Sequence, residues 1–329
     1  MNVRPKLYFP TQGWLEDFPQ NHGLDGAHLL AIRAHVEARL PHVRSVAVVR
    51  HGYAIFEMYR QGFGRESLLN VASITKSVTS LLVGVAIADG LLRLDDCIVE
   101  HFPGLIENAD PRAARITVQH LLTMTAGFDW LDANTGLWLK TAGSHFPHTQ
   151  AMSAEPGEKY NYNTPASHLL SGVLQQVTGR TLAEFAVQRL FAPLGIERFE
   201  WVHDAAGFTY AGHGLSLTTR DVLKFGLLCL RRGTWEGAQL VPSAWIDAAT
   251  SVQSAGWPDT FGAYGYLWWV QNLRGLRAFY AAGNGGQFLH VIPERDLLVL
   301  VTSNHDRLHA ENKQIARDFV LPALLTDLA

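Results

Sequence analysis

Ser73, Ile74, Thr75 and Lys76 stand at the start of a nearly uninterrupted apolar stretch running from Leu68 to Gly90. The stretch reads as a buried helix over Ile74 to Asp89, with Gly90 placed as its C-terminal cap. Residues three apart share a helix face, so the Ser73 hydroxyl and the Lys76 amine become neighbours. Ser73 falls at the first turn, among unpaired backbone N–H groups and the positive end of the helix dipole. A lysine in a desolvated helix has its pKa pushed down, and the neutral amine can then take a proton from an adjacent hydroxyl. The chemistry this predicts is attack by an activated serine, with the Ser73 backbone N–H receiving the developing oxyanion. The same residues also admit a structural reading, a capping serine and a lysine snorkelling to the surface. The apolar context weighs against it, because an isolated buried ammonium is costly unless it is paired or used.

Serine chemistry of this kind needs a further group to carry a proton to the leaving group. Pro156-Gly157-Glu158-Lys159-Tyr160-Asn161-Tyr162-Asn163-Thr164 offers it on an irregular bridge, opened by a Pro-Gly turn and closed by a helix that starts at Pro165. Beside an ammonium a phenol is expected to acidify and serve as a relay. Tyr160 and Tyr162 are equal in this respect. A second glycine-rich turn, Gly283-Asn284-Gly285-Gly286, stands between two apolar runs. There a backbone can approach a ligand closely and offer N–H donors, as the second half of an oxyanion hole requires.

The elements that must position these groups fall into two kinds. Near the N-terminus, Ala27 to Leu40 has helical periodicity, and Ser45–Val49 with Ala54–Tyr59 reads as a hairpin turning at His51-Gly52. Near the C-terminus, Arg277–Ala281, Gln287–Ile292 and Leu297–Val301 read as strands, and Leu308–Leu325 as a helix. Between them lie helical patterns at Val118–Met124, Pro165–Val177, Leu182–Leu190, Thr219–Leu230 and Ala244–Ala249. The expected fold class is α+β: an antiparallel sheet built from both termini, flanked by terminal helices, with an inserted and mostly helical lobe. Residues 1–72 and 232–329 would form the sheet lobe and 73–231 the helical lobe, with the active site at their seam.

Together these segments resemble the serine β-lactamase and penicillin-binding-protein superfamily, and within it the class C, esterase and 6-aminohexanoate-dimer hydrolase branch. The resemblance is carried by Asn70 to Ser77, Val118 to Gly127, Pro156 to Thr164, Gly214 to Asp221 and Tyr264 to Trp269, in that order. It implies that Ser73 attacks, that Lys76 and Tyr162 (rather than Tyr160) shuttle the proton, and that water releases the acyl group. It also implies an oxyanion hole from the backbone N–H groups of Ser73 and Asn284, and substrate contacts from Thr164, Gly283 and Gly285. Two departures bear on the substrate. Tyr280-Ala281-Ala282-Gly283-Asn284 carries no cation where the family commonly has Lys-Thr-Gly or His-x-Gly, a group that helps to hold a substrate carboxylate. Thr164 stands where Asn is usual, removing an amide that would grip a substrate amide.

Composition narrows the rest. The chain has 329 residues, 47% hydrophobic and 17% charged, with a formal net charge of −3, so it shows no electrostatic footprint for nucleic acid or an anionic membrane. The expected partner is a small-molecule ester or amide. The N-terminal residues lack the apolar run of a signal peptide, and a cytoplasmic location is expected. Cys97 and Cys229 have no metal or redox spacing and read as two buried thiols. His305 and His309 have a zinc-like spacing but lack the accompanying Glu, so no metal is expected, and no cofactor motif is present. His120 reads as structural, and Trp130, Trp138, Trp268 and Trp269 as either core or cleft. The function predicted is hydrolysis of esters or small linear amides through an acyl-enzyme at Ser73. The alternatives are the same chemistry on β-lactams or D-Ala-D-Ala-type peptides, and a catalytically silent binding protein.

Overall fold

The computed structural model describes residues 8–101, 110–136, 138, 151–304 and 310–325. The first helix, α1 (Gly26–Arg39), is capped by the Asp25 carboxylate, which accepts from the Ala27 N–H. It leads into a hairpin of β1 (Val43–Arg50) and β2 (Tyr53–Tyr59) that turns at His51 and Gly52, both at positive φ. After a two-residue strand β3 (Leu69–Asn70) comes α2 (Ile74–Ala88), whose first thirteen residues are all buried. The middle of the chain continues with α3 (Val118–Leu122), α4 (Thr164–Thr178) and α5 (Leu182–Ala186). Short strands β4 (Glu200–Trp201) and β5 (Leu215–Leu217) form a small sheet with β3, and α6 (Thr219–Leu230) follows. A small hairpin, β6 (Thr234–Trp235) and β7 (Ala238–Gln239), precedes α7 (Ser243–Ala249).

The remaining strands complete the main sheet. They are β8 (Ser254–Trp257), β9 (Gly262–Tyr264), β10 (Trp269–Leu273), β11 (Leu276–Gly283), β12 (Gln287–Ile292) and β13 (Leu297–Ser303), and α8 (Ala310–Ile315) comes last. The eight strands run in the order β2-β1-β13-β12-β11-β10-β9-β8, so the two ends of the chain meet where β1 pairs antiparallel with β13. One face of this sheet is covered by α1 and the C-terminal helix, around Ile32, Val36, Val46, Val299, Val301 and Ile315. The other carries the larger core, in which α2, α4 and α6 pack. Strands β1, β12 and β13 are buried nearly end to end, which is why they read as continuous apolar runs rather than as alternating patterns. Among the described residues no helix is long and apolar enough to cross a membrane.

Several expectations are adjusted. Strands β8 to β10 are absent from the sequence reading. The register shifts between Ser254 and Trp257, and Gly256 and Gly262 sit at positive φ, so the period-2 signal is broken there. The helix expected over Leu182–Leu190 ends at Ala186 and widens into a π turn over Val187–Phe191. The C-terminal helix likewise passes into a π turn, Ala316–Val320, and His305 and His309 lie outside the described residues. Both cysteines are free, but only Cys229 is fully buried; Cys97 is half-buried.

Helix α2 is fixed on all sides by its own polar side chains as well as by packing. Ser77 Oγ donates to Leu267 O at 2.8 Å, Thr79 Oγ1 to Ala211 O at 2.8 Å, and Trp245 Nε1 of α7 donates to Ser80 O at 3.0 Å. Gly84 makes the last contact possible, because a Cβ there would lie 2.3 Å from the Trp245 ring. Gly84→Ala is therefore expected to destabilise by about 1–3 kcal/mol through overpacking. In an exposed helix the same change would stabilise by up to about 1 kcal/mol. Urea unfolding reads the sign: a midpoint that rises would contradict this docking of α2 on α7.

Candidate active site

Ser73 stands at the N-terminal end of α2 in a turn that the preceding residues force. Ala72 adopts φ +48°, an uncommon conformation for a non-glycine residue, and the Asn70 side chain supports it by accepting from the Ala72 N–H at 2.7 Å. The N–H groups of Ile74, Thr75 and Lys76 bond to the carbonyls of Val71, Ala72 and Ser73, which closes the first turn tightly. Ser73 is thus the capping residue by position, yet its side chain makes no cap bond. Its hydroxyl is turned toward the chemistry instead.

Lys76 lies one turn on and is 1% exposed. Its Nζ is 2.9 Å from Ser73 Oγ, 3.0 Å from Thr164 Oγ1 and 2.7 Å from Gly212 O. An uncharged amine has two hydrogens and one lone pair. Two hydrogens for Thr164 and Gly212 leave the lone pair for the Ser73 hydroxyl. No carboxylate among the described residues forms an ion pair with it. Burial drives its pKa down to about 7, against a weaker opposing pull from Asp132.

Tyr162 is buried beside this pair. Its ring centroid is 5.0 Å from Lys76 Nζ, and its hydroxyl lies near enough to Ser73 for the serine to pull its pKa down. Trp269 stacks on the ring at 6.0 Å, and Trp257 packs at 5.4 Å. The expectation that a neighbouring ammonium acidifies this phenol is overturned. Desolvation and the Asp132 charge push its pKa up, outweighing the opposite pull of the nearby Ser73 hydroxyl. Tyr162 is therefore a neutral O–H donor at rest. Tyr160 packs against Trp257, Tyr264 and Trp269, its buried hydroxyl has no partner among the described residues, and it is not among the residues that line the cavity.

Strand β11 ends directly under the nucleophile turn, since a Cβ on Gly283 would meet Val71 O at 2.5 Å. This close approach brings the turn of Gly283 and Asn284 to the same cavity, of about 680 Å³, into which Ser73, Tyr162 and Thr164 face. Gly285, at φ +84°, turns the chain back toward β12 and is not among the lining residues. The rest of the wall holds Trp257, Phe261, Trp269, Asp132 and His213. Of the tryptophans left open by the sequence, Trp269 lines the cavity, while Trp130, Trp138 and Trp268 belong to the core. His120 closes a capping box with Thr117. Trp257, Asp132 and His213 were not read from the sequence. They arrive from three separate segments, Trp257 at the end of β8, Asp132 at a short 3-10 turn and His213 on the loop before β5, with no motif to flag them. Among the described residues no cluster of three or more His, Cys, Asp or Glu side chains could hold a metal ion.

The Lys76 environment makes two measurable demands. If the neutral amine is the working base, kcat/KM should rise with pH through an apparent pKa near 7. The folded protein also binds fewer protons at this site than the unfolded chain between about pH 7 and 10.5. Stability from this group therefore increases as pH rises through that window, by at most about 1.4 kcal/mol per pH unit. Lys76→Met should abolish activity, unfold at higher urea than the wild type near pH 7, and lose that advantage toward pH 10. A stability difference independent of pH would show an ordinarily solvated lysine.

Residues 31–320 match the beta-lactamase family. The chain is 23% identical over 281 residues to the 6-aminohexanoate-dimer hydrolase of Paenarthrobacter ureafaciens, covering 78% of this chain and 71% of that protein. Its fold is similar to that of EstCE1, a hydrolase with promiscuous acyltransferase activity, with TM-score 0.76, 17% identity, and 92% of this chain and 98% of that one covered. It is also similar to a D-stereospecific amidohydrolase from Streptomyces sp., with TM-score 0.70, 18% identity, and 89% and 98% covered. With its sheet of both termini, its helical middle and a match spanning most of its length, this chain belongs to the beta-lactamase family of hydrolase-fold proteins.

Proposed function

We propose that the protein hydrolyses esters or small linear amides through an acyl-enzyme on Ser73. The observation that carries the reading is a fully buried amine, without a counter-ion among the described residues, 2.9 Å from the serine oxygen. In the first step Lys76 takes the Ser73 proton while Oγ bonds to the substrate carbonyl carbon. The carbonyl oxygen becomes an oxyanion facing the backbone N–H groups of Ser73 and Asn284. Tyr162 then gives its phenolic proton to the departing alkoxide or amine as that bond breaks, and Lys76 returns a proton to the phenolate. Water repeats the sequence on the acyl-enzyme and restores Ser73. The raised pKa of Tyr162 suits the donor role, since a phenol that ionised at rest would have no proton to give. No step calls for a cofactor, and the partner is a small molecule.

The walls of the cavity favour this substrate class over β-lactams and cell-wall peptides. Among the described lining residues there is no Lys or Arg, and the charged one is Asp132, which repels a substrate carboxylate. The aromatic surfaces of Trp257, Phe261 and Trp269 suit an uncharged acyl or leaving group. The 6-aminohexanoate-dimer hydrolase among the relatives is consistent with a linear amide. The site would sit at the seam between the 73–231 helical lobe and the 1–72 plus 232–329 sheet lobe.

A fluorophosphonate probe should add one adduct to the wild type and none to Ser73→Ala, and Ser73→Ala should lose about 10⁴-fold or more in kcat toward p-nitrophenyl butyrate. The wild type should cleave that ester far faster than nitrocefin. Equal labelling of wild type and Ser73→Ala would remove Ser73 as the nucleophile, and faster nitrocefin turnover would reverse the substrate assignment.

A further inference from the structure

The nucleophile cavity has a neighbour on the far side of Phe261. A second cavity, of about 500 Å³, opens against β8, β9 and β10, and Phe261 belongs to the walls of both. Its lining is mostly apolar, from Val252, Ala255, Pro258, Phe261, Ala263 and Val270. Gly262 lets this wall sit tightly on β10, since a Cβ there would lie 2.5 Å from Val270 O. Among the described residues no Asp or Glu lines the second cavity, and its charged wall residue is Lys313. The sign is opposite to that of the nucleophile cavity, where the charged wall residue is Asp132.

Lys313 reaches this wall from α8 and is half-buried there. Its Nζ donates to Thr260 O at 3.0 Å, a bond at the surface, and stands 5.2 Å from the Phe261 ring centroid and 4.8 Å from that of Tyr280. An ammonium has three N–H donors, so one carbonyl and two ring faces fix its position and leave two donors to spare. No carboxylate among the described residues forms an ion pair with it. Arg317, one turn further along, adds positive charge and is itself paired with Asp318. Asp259, on the adjoining segment, is exposed and is not among the lining residues. Burial and the Arg317 charge lower the Lys313 pKa to about 8, so the amine is still mostly protonated at pH 7. Such a group gains from an anion that replaces its lost water.

The walls say which anion. One ammonium with two spare donors suits a single carboxylate, whereas a dianion would call for more donors than the wall offers. The apolar remainder suits a hydrocarbon chain, in a space of the size that holds small ligands. We propose that this second cavity binds a monocarboxylate with a short apolar chain, its carboxylate paired with the Lys313 ammonium and its chain laid against Pro258 and Phe261. The site is separate from Ser73 and does not depend on the hydrolase reading.

The test is a titration of protein labelled with ¹³C at lysine Cε with hexanoate at pH 7, the Lys313 resonance being assigned by its loss in Lys313→Met. Hexanoate should shift that resonance saturably, with half-saturation at about 1–10 mM, and raise its apparent pKa by about 0.5–1 unit. Hexan-1-ol, with the chain but no charge, and inorganic phosphate, with charge but no chain, should each bind at least about 5-fold more weakly. Read from the ligand side by saturation transfer, Lys313→Met should weaken hexanoate binding by about 5-fold or more, and Lys313→Arg should keep most of it. A Lys313 resonance that hexanoate leaves unmoved overturns the site. Equal binding to Lys313→Met does so too, because it places the acid elsewhere, and equal binding of the alcohol or of phosphate denies the pairing of charge with chain. None of these outcomes touches the hydrolase reading, which fluorophosphonate labelling of Ser73 tests separately.

Discussion

An amine at the buried start of a helix is the constraint around which this molecule is built. Moving an ammonium out of water is expensive, and a protein normally compensates with a carboxylate partner. Here the partners are three neutral oxygens, from Ser73, Thr164 and Gly212, each contributed by a different part of the chain. The three oxygens satisfy the nitrogen's hydrogen bonds, while deep burial without a paired carboxylate penalises the charged form and favours the neutral amine that a base toward serine needs. It also fixes the architecture. Helix α2 must be buried on every side, so it lies between the sheet on one hand and α4 and α7 on the other, with its hydroxyl side chains tied to backbone carbonyls of its neighbours.

The same constraint organises the second group. Tyr162 is close enough to share the Ser73 hydroxyl, and its ring faces Lys76, but the dry surroundings that neutralise the lysine also keep the phenol protonated. Base and acid are thus separated by one physical cause acting on groups of opposite charge type. Desolvation disfavours the ammonium and the phenolate alike. Around this pair the cavity is finished by aromatic side chains from β8 to β10 and by the turn after β11, which only a glycine lets approach Val71 so closely.

How far this was legible in the sequence follows from how local each signal is. Ser73 and Lys76 are three residues apart on one helix, so their contact needs no knowledge of the fold. Helix α6, Thr219–Leu230, is likewise read to the residue, because its apolar period is complete and Thr218 caps it. The terminal strands were visible as apolar runs, since both their faces are buried. Strands β8 to β10 were not, because bulges and glycines erase the alternation just where the sheet curls over the cavity. Tyr160 and Tyr162 share one irregular bridge, and which of them turns inward depends on packing against Trp257 and Trp269, far along the chain. Asp132 and His213 reach the cavity from a short turn and a loop whose sequence says nothing about their destination. The direction of the Tyr162 shift was misread because a single neighbouring lysine was weighed, whereas the burial of the phenol itself and the Asp132 charge, both set by the fold, decide it.

The claim on which this account turns is that the Lys76 amine gives up its proton near neutrality in the folded protein. Titration of lysine side chains labelled with ¹³C at Cε, with the Lys76 resonance assigned by its loss in Lys76→Met, measures this directly. The account predicts a transition at an apparent pKa of about 7 in the native state. A Lys76 resonance that titrates with the ordinary lysine value, near 10.4, would contradict it.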